Sequence, residues 1–259
     1  MPILKSGEAR IHYALEGQSG SSALVFSNSL GADYSMWDAQ ACEFRKRLSV
    51  LRYDTRGHGQ SPPTHGPYSI ELLGRDVLSM LDALDLDRVH FCGLSMGGMI
   101  GMWMALNAPE RLNKLVLSNT AAKIGTTEGW NARIEAVQEN GMKSLASAIL
   151  ERWFTPAFRQ KTPETMANIL KMLEETNPDG YVACCAAVRD FDCREQLIKI
   201  RTPTLVIAGA HDSATPPADG RFLAQQIPAA RYLELSAAHL SNIEAQDQFN
   251  NELSAFLNF

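Results

Sequence analysis

The sequence predicts an α/β protein: a mostly parallel sheet with helices on both faces and a helical insertion between two parts of the core. Three observations carry this. Short apolar, β-branched runs alternate with helix-forming stretches along most of the chain, which is the pattern of strands linked by crossover helices. The β signal then vanishes from Ala121 to about Cys193. Finally, Gly93-Leu94-Ser95-Met96-Gly97 lies between a strand run and a helix run, so it reads as a sharp strand-to-helix turn.

Residues 9–17 alternate apolar and polar and predict an antiparallel edge strand. Residues 23–27 are a buried strand run, followed by the loop Asn28-Ser29-Leu30-Gly31. Residues 49–53 form the next strand and lead into Asp54-Thr55-Arg56-Gly57-His58-Gly59-Gln60-Ser61, whose glycines and capping residues mark a structural loop. A long helix covers residues 69–86, and residues 88–92 are the strand before the turn. After it, residues 98–106 are apolar all round, which suits a buried helix ended by Asn107 and Pro109. Residues 114–119 are a strand. The helical stretch that follows is interrupted at Pro156, Pro163 and Pro178 and is predicted to lie as a cap over Ser95. Residues 204–209 and 230–235 are the last two strands, and an amphipathic helix spans 242–256. The chain therefore divides into a first core part at 1–121, a cap at 122–195 and a second core part at 196–259.

A Gly-x-Ser-x-Gly string alone is common, so its context carries the reading. A serine in such a turn is strained, projects from the sheet top, and sits at a helix N-terminus that favours negative charge. Its hydroxyl needs a base and a residue that orients the base. Asp212 stands just past the strand at 204–209 and His239 just past the strand at 230–235, so each follows a different strand, in the order Ser95, Asp212, His239. Asp212, placed before Ser213 and Thr215, also suits a helix cap, and a lone His also suits a surface or core position. His58 is a rival base, but it precedes Ser95 and better serves to fix its loop by hydrogen bonds. The oxyanion hole requires two backbone donors. The Met96 N–H supplies one, and the loop at 28–31 supplies the other from Leu30, with Ser29 as the alternative and a plain polar turn as the bland reading.

The composition bounds the partners. A net charge of −5 gives no basic footprint for nucleic acid, and no segment reaches the roughly 18 apolar residues of a spanning helix. The N-terminal residues lack a basic region followed by an apolar core, so a cytoplasmic enzyme is expected. The five cysteines, Cys42, Cys92, Cys184, Cys185 and Cys193, form no disulfide framework and read as reduced core thiols, the vicinal pair included. His211 beside Asp212 has no further ligand at metal spacing, so no metal or other cofactor is expected, and no obligate protein partner is inferred.

Several phrases resemble one family over essentially the whole chain. They are Ser27-Asn28-Ser29-Leu30-Gly31 through Ser35-Met36-Trp37, Tyr53-Asp54-Thr55-Arg56-Gly57-His58-Gly59, Gly93-Leu94-Ser95-Met96-Gly97-Gly98, Leu117-Ser118-Asn119-Thr120-Ala121 and Ala238-His239-Leu240-Ser241-Asn242. Together they resemble α/β-hydrolases of the 3-oxoadipate enol-lactonase type. The resemblance implies the α/β-hydrolase fold, a mostly parallel eight-stranded sheet with a helical cap. It also implies hydrolysis of a five-membered enol-lactone with an acetate arm to the open 3-oxo dicarboxylate, in aromatic compound catabolism. One departure is Ala237-Ala238 before His239, where related hydrolases often carry glycine. The substrate is then a small carboxylate-bearing lactone, with water as second reactant, and the carboxylate calls for a cation. Arg133, close to Trp130, is the expected one, with Trp153 as a further cap aromatic and Arg189 and Lys123 as rival cations; an ordinary solvated helix Arg or core aromatic is the alternative. Another esterase, a cofactor-free perhydrolase, or a ligand receptor with negligible turnover are the competing functions on this scaffold.

Overall fold

The computed structural model describes residues 2–18, 22–228 and 230–258. The chain opens with β1 (Ile3–Ser6) and β2 (Ala9–Gly17), a hairpin that turns at Gly7, where φ is +56°. It continues with β3 (Ala23–Ser27), α1 (Asp38–Phe44), β4 (Ser49–Tyr53), α2 (Ile70–Ala83), β5 (Val89–Leu94), α3 (Met96–Asn107) and β6 (Leu112–Ser118). Five helices follow: α4 (Thr127–Asn140), α5 (Lys143–Trp153), α6 (Pro156–Lys161), α7 (Pro163–Glu175) and α8 (Pro178–Asp190). The chain then returns to β7 (Thr204–Gly209), α9 (Pro217–Gln226), β8 (Ala230–Leu235), α10 (Ser241–Glu244) and α11 (Gln246–Leu257).

The eight strands form one sheet in the order β1-β2-β4-β3-β5-β6-β7-β8. From β4 to β8 every neighbouring pair is parallel, and β2 is antiparallel to both β1 and β4. Strands β3, β4, β5 and β7 are buried at every position, as expected of strands covered on both faces. The carboxyl ends of β3, β5, β7 and β8 therefore open on one edge, where ligands bind in open α/β sheets.

Three local expectations are corrected. Residues 9–17 are not the edge of the sheet, because β1 pairs outside them. Four residues are too few to show a period, so β1 carried no readable signal. The C-terminal helix is two helices: Ala245, at φ −117° and ψ 43°, breaks it between α10 and α11. Cys42 is exposed on α1, while the other four cysteines are buried free thiols. The three prolines at 156, 163 and 178 each occupy the first turn of a helix, where the missing N–H costs nothing. Two of the three helices carry a side-chain cap: Thr155 Oγ1 accepts the Phe158 N–H, and Asn177 Oδ1 accepts the N–H groups of Asp179 and Gly180.

Candidate active site

Ser95 is the single residue between β5 and α3, and its backbone sits at φ 57°, ψ −115°, a region a side-chain-bearing residue enters only under constraint. The constraint is local and dense. The Ser95 N–H donates to Ser118 O at 3.0 Å, its carbonyl accepts from Thr120 Oγ1 at 2.7 Å, and the Gly97 N–H donates to Asn28 O at 3.0 Å. A Cβ at Gly93 would collide with the Gly97 backbone, and one at Gly97 with the Ser27 backbone, so both glycines are required by close approach.

The two residues expected as base and orienter, His239 and Asp212, lie together. His239 Nδ1 lies 2.8 Å from Asp212 Oδ2, with both side chains almost fully buried. This commits Nδ1 to the carboxylate and leaves Nε2 as the ring nitrogen for the cavity side. Asp212 Oδ1 accepts the N–H groups of Ala214 and Thr215 at 2.8 and 3.0 Å. Its Oδ2 accepts Asn119 Nδ2 at 2.9 Å and Thr215 Oγ1 at 2.8 Å besides the imidazole. Asp212 therefore caps no helix, since α9 has Pro216 at its N-cap; its Oδ1 closes the turn at Ala214 and Thr215 while its Oδ2 faces His239. Burial pushes the Asp212 carboxyl up, but the charge and hydrogen bond of His239, with Asn119 and Thr215, outweigh it and hold the group below the ordinary carboxylate range.

Asn119 escaped the reading of individual residues. It adopts φ 46°, and its Oδ1 accepts from Ser118 Oγ and Ser241 Oγ while its Nδ2 reaches both Asp212 and Ala238 O. The available signal was its position one residue past β6, on the same sheet edge as Ser95.

Ser95 and His239 open on a cavity of about 290 Å³, a volume suited to a small molecule. Leu30, Trp130, Arg133 and Trp153 line the same cavity; Met96 lies fully buried directly after Ser95, and Asp212 stands behind His239. Among the described residues, neither the Leu30 nor the Met96 backbone N–H meets an acceptor, whereas the Ser29 N–H points at Met36 Sδ at 3.5 Å. The loop carrying Leu30 is tied down by His58, whose Nε2 accepts the Gly31 N–H at 2.9 Å, and by Thr176, whose Oγ1 donates to Gly31 O at 3.1 Å. Burial lowers His58 to about 4, so it stays a neutral acceptor at physiological pH.

Arg133 stacks over Trp130, with its Cζ 5.0 Å from the ring, and its Nη1 lies 3.4 Å from Tyr181 Oη. Arg189 and Lys123 do not reach the cavity; Arg189 is spent on Asp190 and Asn131 at the surface. A second cavity cation, Arg152 on α5, was missed. Nothing in the sequence separates it from other helix arginines except its place beside Trp153.

A strained serine at a strand-to-helix turn, a buried His–Asp pair on neighbouring strand ends and two backbone donors without an acceptor among the described residues are the groups that acyl transfer calls for. The sequence matches the α/β hydrolase fold family over residues 22–246, and the chain belongs to that family. It is 43% identical over 254 residues to 3-oxoadipate enol-lactonase 2 of Acinetobacter baylyi, covering 98% of this chain and 95% of that one. It is 40% identical to 3-oxoadipate enol-lactonase 1 of the same organism, over 94% of this chain and 91% of that one. The crystal structure of the enol-lactonase from Burkholderia xenovorans superimposes with a TM-score of 0.98 at 43% identity, over the full length of both chains.

Proposed function

We propose that this chain is a carboxylic ester hydrolase that opens 3-oxoadipate enol-lactone to 3-oxoadipate, through an acyl-enzyme on Ser95. The observation that carries the proposal is the Asp212–His239 hydrogen bond at 2.8 Å behind a cavity that Ser95 and His239 share. The identity to enol-lactonases over nearly the whole chain supports the substrate.

Ser95 Oγ attacks the lactone carbonyl while His239 Nε2 takes its proton, and the carboxylate of Asp212 stabilises the imidazolium. The Met96 and Leu30 N–H groups receive the oxyanion. Collapse breaks the ring C–O bond and expels an enolate, which takes the proton from His239 and tautomerises to the ketone. Water then attacks the acyl carbon, one of its protons passing to His239 and from there to Ser95 Oγ; the new carboxylic acid gives up the other to solvent, and the product leaves with two carboxylates. The helices between β6 and β7 act as a cap over residues 122–195, with Arg133 and the rings of Trp130 and Trp153 holding the acetate arm. The substrate is small, and no helix among the described residues is long and apolar enough to cross a membrane. We place the enzyme in the cytoplasm, a reading supported by its five unpaired cysteines.

The direct test follows the loss of enol-lactone absorbance with the wild type and Ser95→Ala, together with intact-mass detection of an acyl adduct. Turnover and a transient adduct are expected for the wild type only. Full turnover by Ser95→Ala overturns the covalent mechanism, and no turnover by the wild type overturns the substrate.

A further inference from the structure

The reaction cavity holds an unbalanced pair of charges. Arg133 and Arg152 both line it, and no Asp or Glu is among its described lining residues. Neither guanidinium forms an ion pair among the described residues; Arg133 has only the Tyr181 hydroxyl and the Trp130 face, both neutral. The two cations also feel one another: partial desolvation of its guanidinium first, then the charge of Arg133, lowers the affinity of Arg152 for its proton. A protein gains nothing in stability by facing two arginines into one space without a carboxylate.

The two residues differ in setting. Arg133 is half-buried, whereas Arg152 is exposed and also lines an adjoining cavity, formed in part by Phe154, Phe158, Lys161 and His211. Arg152 therefore stands in the wall between the two spaces. The adjoining cavity carries no excess of its own, since Lys161 and Arg152 are matched there by Glu151 and Glu244. Glu244 is turned onto the Thr155 and Ala238 backbone N–H groups, and Glu151 lies 3.8 Å from Arg159.

We propose that Arg152 is a specificity-determining residue: a second guanidinium that, with Arg133, makes the cavity select acyl groups bearing a remote carboxylate, acting from the solvent-exposed side of the wall. This rests on the esterase reading of the site and extends it, because it assigns carboxylate recognition to a pair rather than to Arg133 alone. A monoanionic acyl group relieves part of the repulsion between the two arginines, and a product with two carboxylates balances it fully. Being exposed, the Arg152 contribution is screened by salt, unlike that of a buried contact.

The test compares mono-p-nitrophenyl glutarate, an ester with a free carboxylate, with neutral p-nitrophenyl butyrate, using wild type, Arg152→Gln and Arg152→Lys. The readout is the ratio of kcat/KM for the charged ester to that for the neutral one, at about 10 mM and about 0.5 M salt. Arg152→Gln is expected to lower the ratio about fivefold at low salt, as for a partly exposed charge contact, and to flatten its salt dependence. Arg152→Lys restores most of both, since a point charge suffices at an exposed position. A ratio within twofold of wild type in Arg152→Gln, or equal losses on both esters, overturns the proposal. Parallel assays on the enol-lactone separate this from the substrate reading. A fallen ratio with no lactone turnover by the wild type sinks the lactone and leaves the arginine pair, and lactone turnover with an unchanged ratio does the reverse.

Discussion

Replacing Asp212 by Asn tests the orientation of the imidazole with almost no change in shape. The two carboxylate oxygens have different partners, and this decides which way the amide settles. Position Oδ1 receives two backbone donors, Ala214 N–H and Thr215 N–H, so the amide oxygen must sit there. The NH₂ group then takes the place of Oδ2, 2.8 Å from His239 Nδ1. To satisfy it, Nδ1 becomes the acceptor, the ring proton moves to Nε2, and the imidazole can no longer take the proton of Ser95. The expected loss in kcat is about 10⁴-fold, equal to about 5.5 kcal/mol at the barrier. The new NH₂ also faces Asn119 Nδ2, formerly a donor at 2.9 Å, which costs about 1–3 kcal/mol of folding stability. Hydrolysis of p-nitrophenyl butyrate at neutral pH, read beside thermal unfolding, measures both effects. If Asp212→Asn keeps a tenth or more of wild-type kcat in a folded protein, the carboxylate is not setting the tautomer and the mechanism is wrong.

Ser95→Ala, His239→Ala and the double variant are each expected to lose about 10⁶-fold in kcat, because they disable one proton-transfer unit; losses that multiply in the double variant would show independent roles. Arg133→Met is expected to lower the charged-to-neutral ester ratio of kcat/KM by roughly 30-fold, the effect of removing one partner from a desolvated guanidinium–carboxylate contact. Equal losses on both esters would make Arg133 a cap-packing residue. His58 has a folded pKa of about 4 against an ordinary 6.5, so the unfolded chain binds the extra proton and stability falls as pH drops through that window. Between pH 7 and pH 5 this amounts to about 2 kcal/mol. His58→Gln, whose amide oxygen can still accept the Gly31 N–H, is expected to lose that much less over the same interval in urea unfolding, and an unchanged pH dependence would refute the assignment.

What the sequence determined by itself is whatever short-range chemistry dictates. The glycines around Ser95 are demanded by backbone contact within and beside the turn, so the strand-to-helix elbow is legible in five residues. Ser95, Asp212 and His239 were each placeable because each lies within four residues after a strand run, and parallel strands deliver their carboxyl ends to one edge of the sheet. The loop role of His58 followed from its neighbours, and its bond to the Gly31 N–H joins two loops that leave adjacent strands. Only the tertiary structure decided contacts that depend on how separate elements rotate and pack. Asn119 acquires its role from Asp212 and Ser241, which lie 93 and 122 residues away. The face of α5 that turns Arg152 into the cavity, and the face of α8 that turns Arg189 out of it, are set by helix packing among α4, α5, α7 and α8. Each of those helices carries charge on more than one side, so its hydrophobic pattern alone leaves the rotation of a single arginine open. The same holds for β1, which becomes the sheet edge because β2 offers it a partner, while its own four residues carry too little pattern to announce a strand.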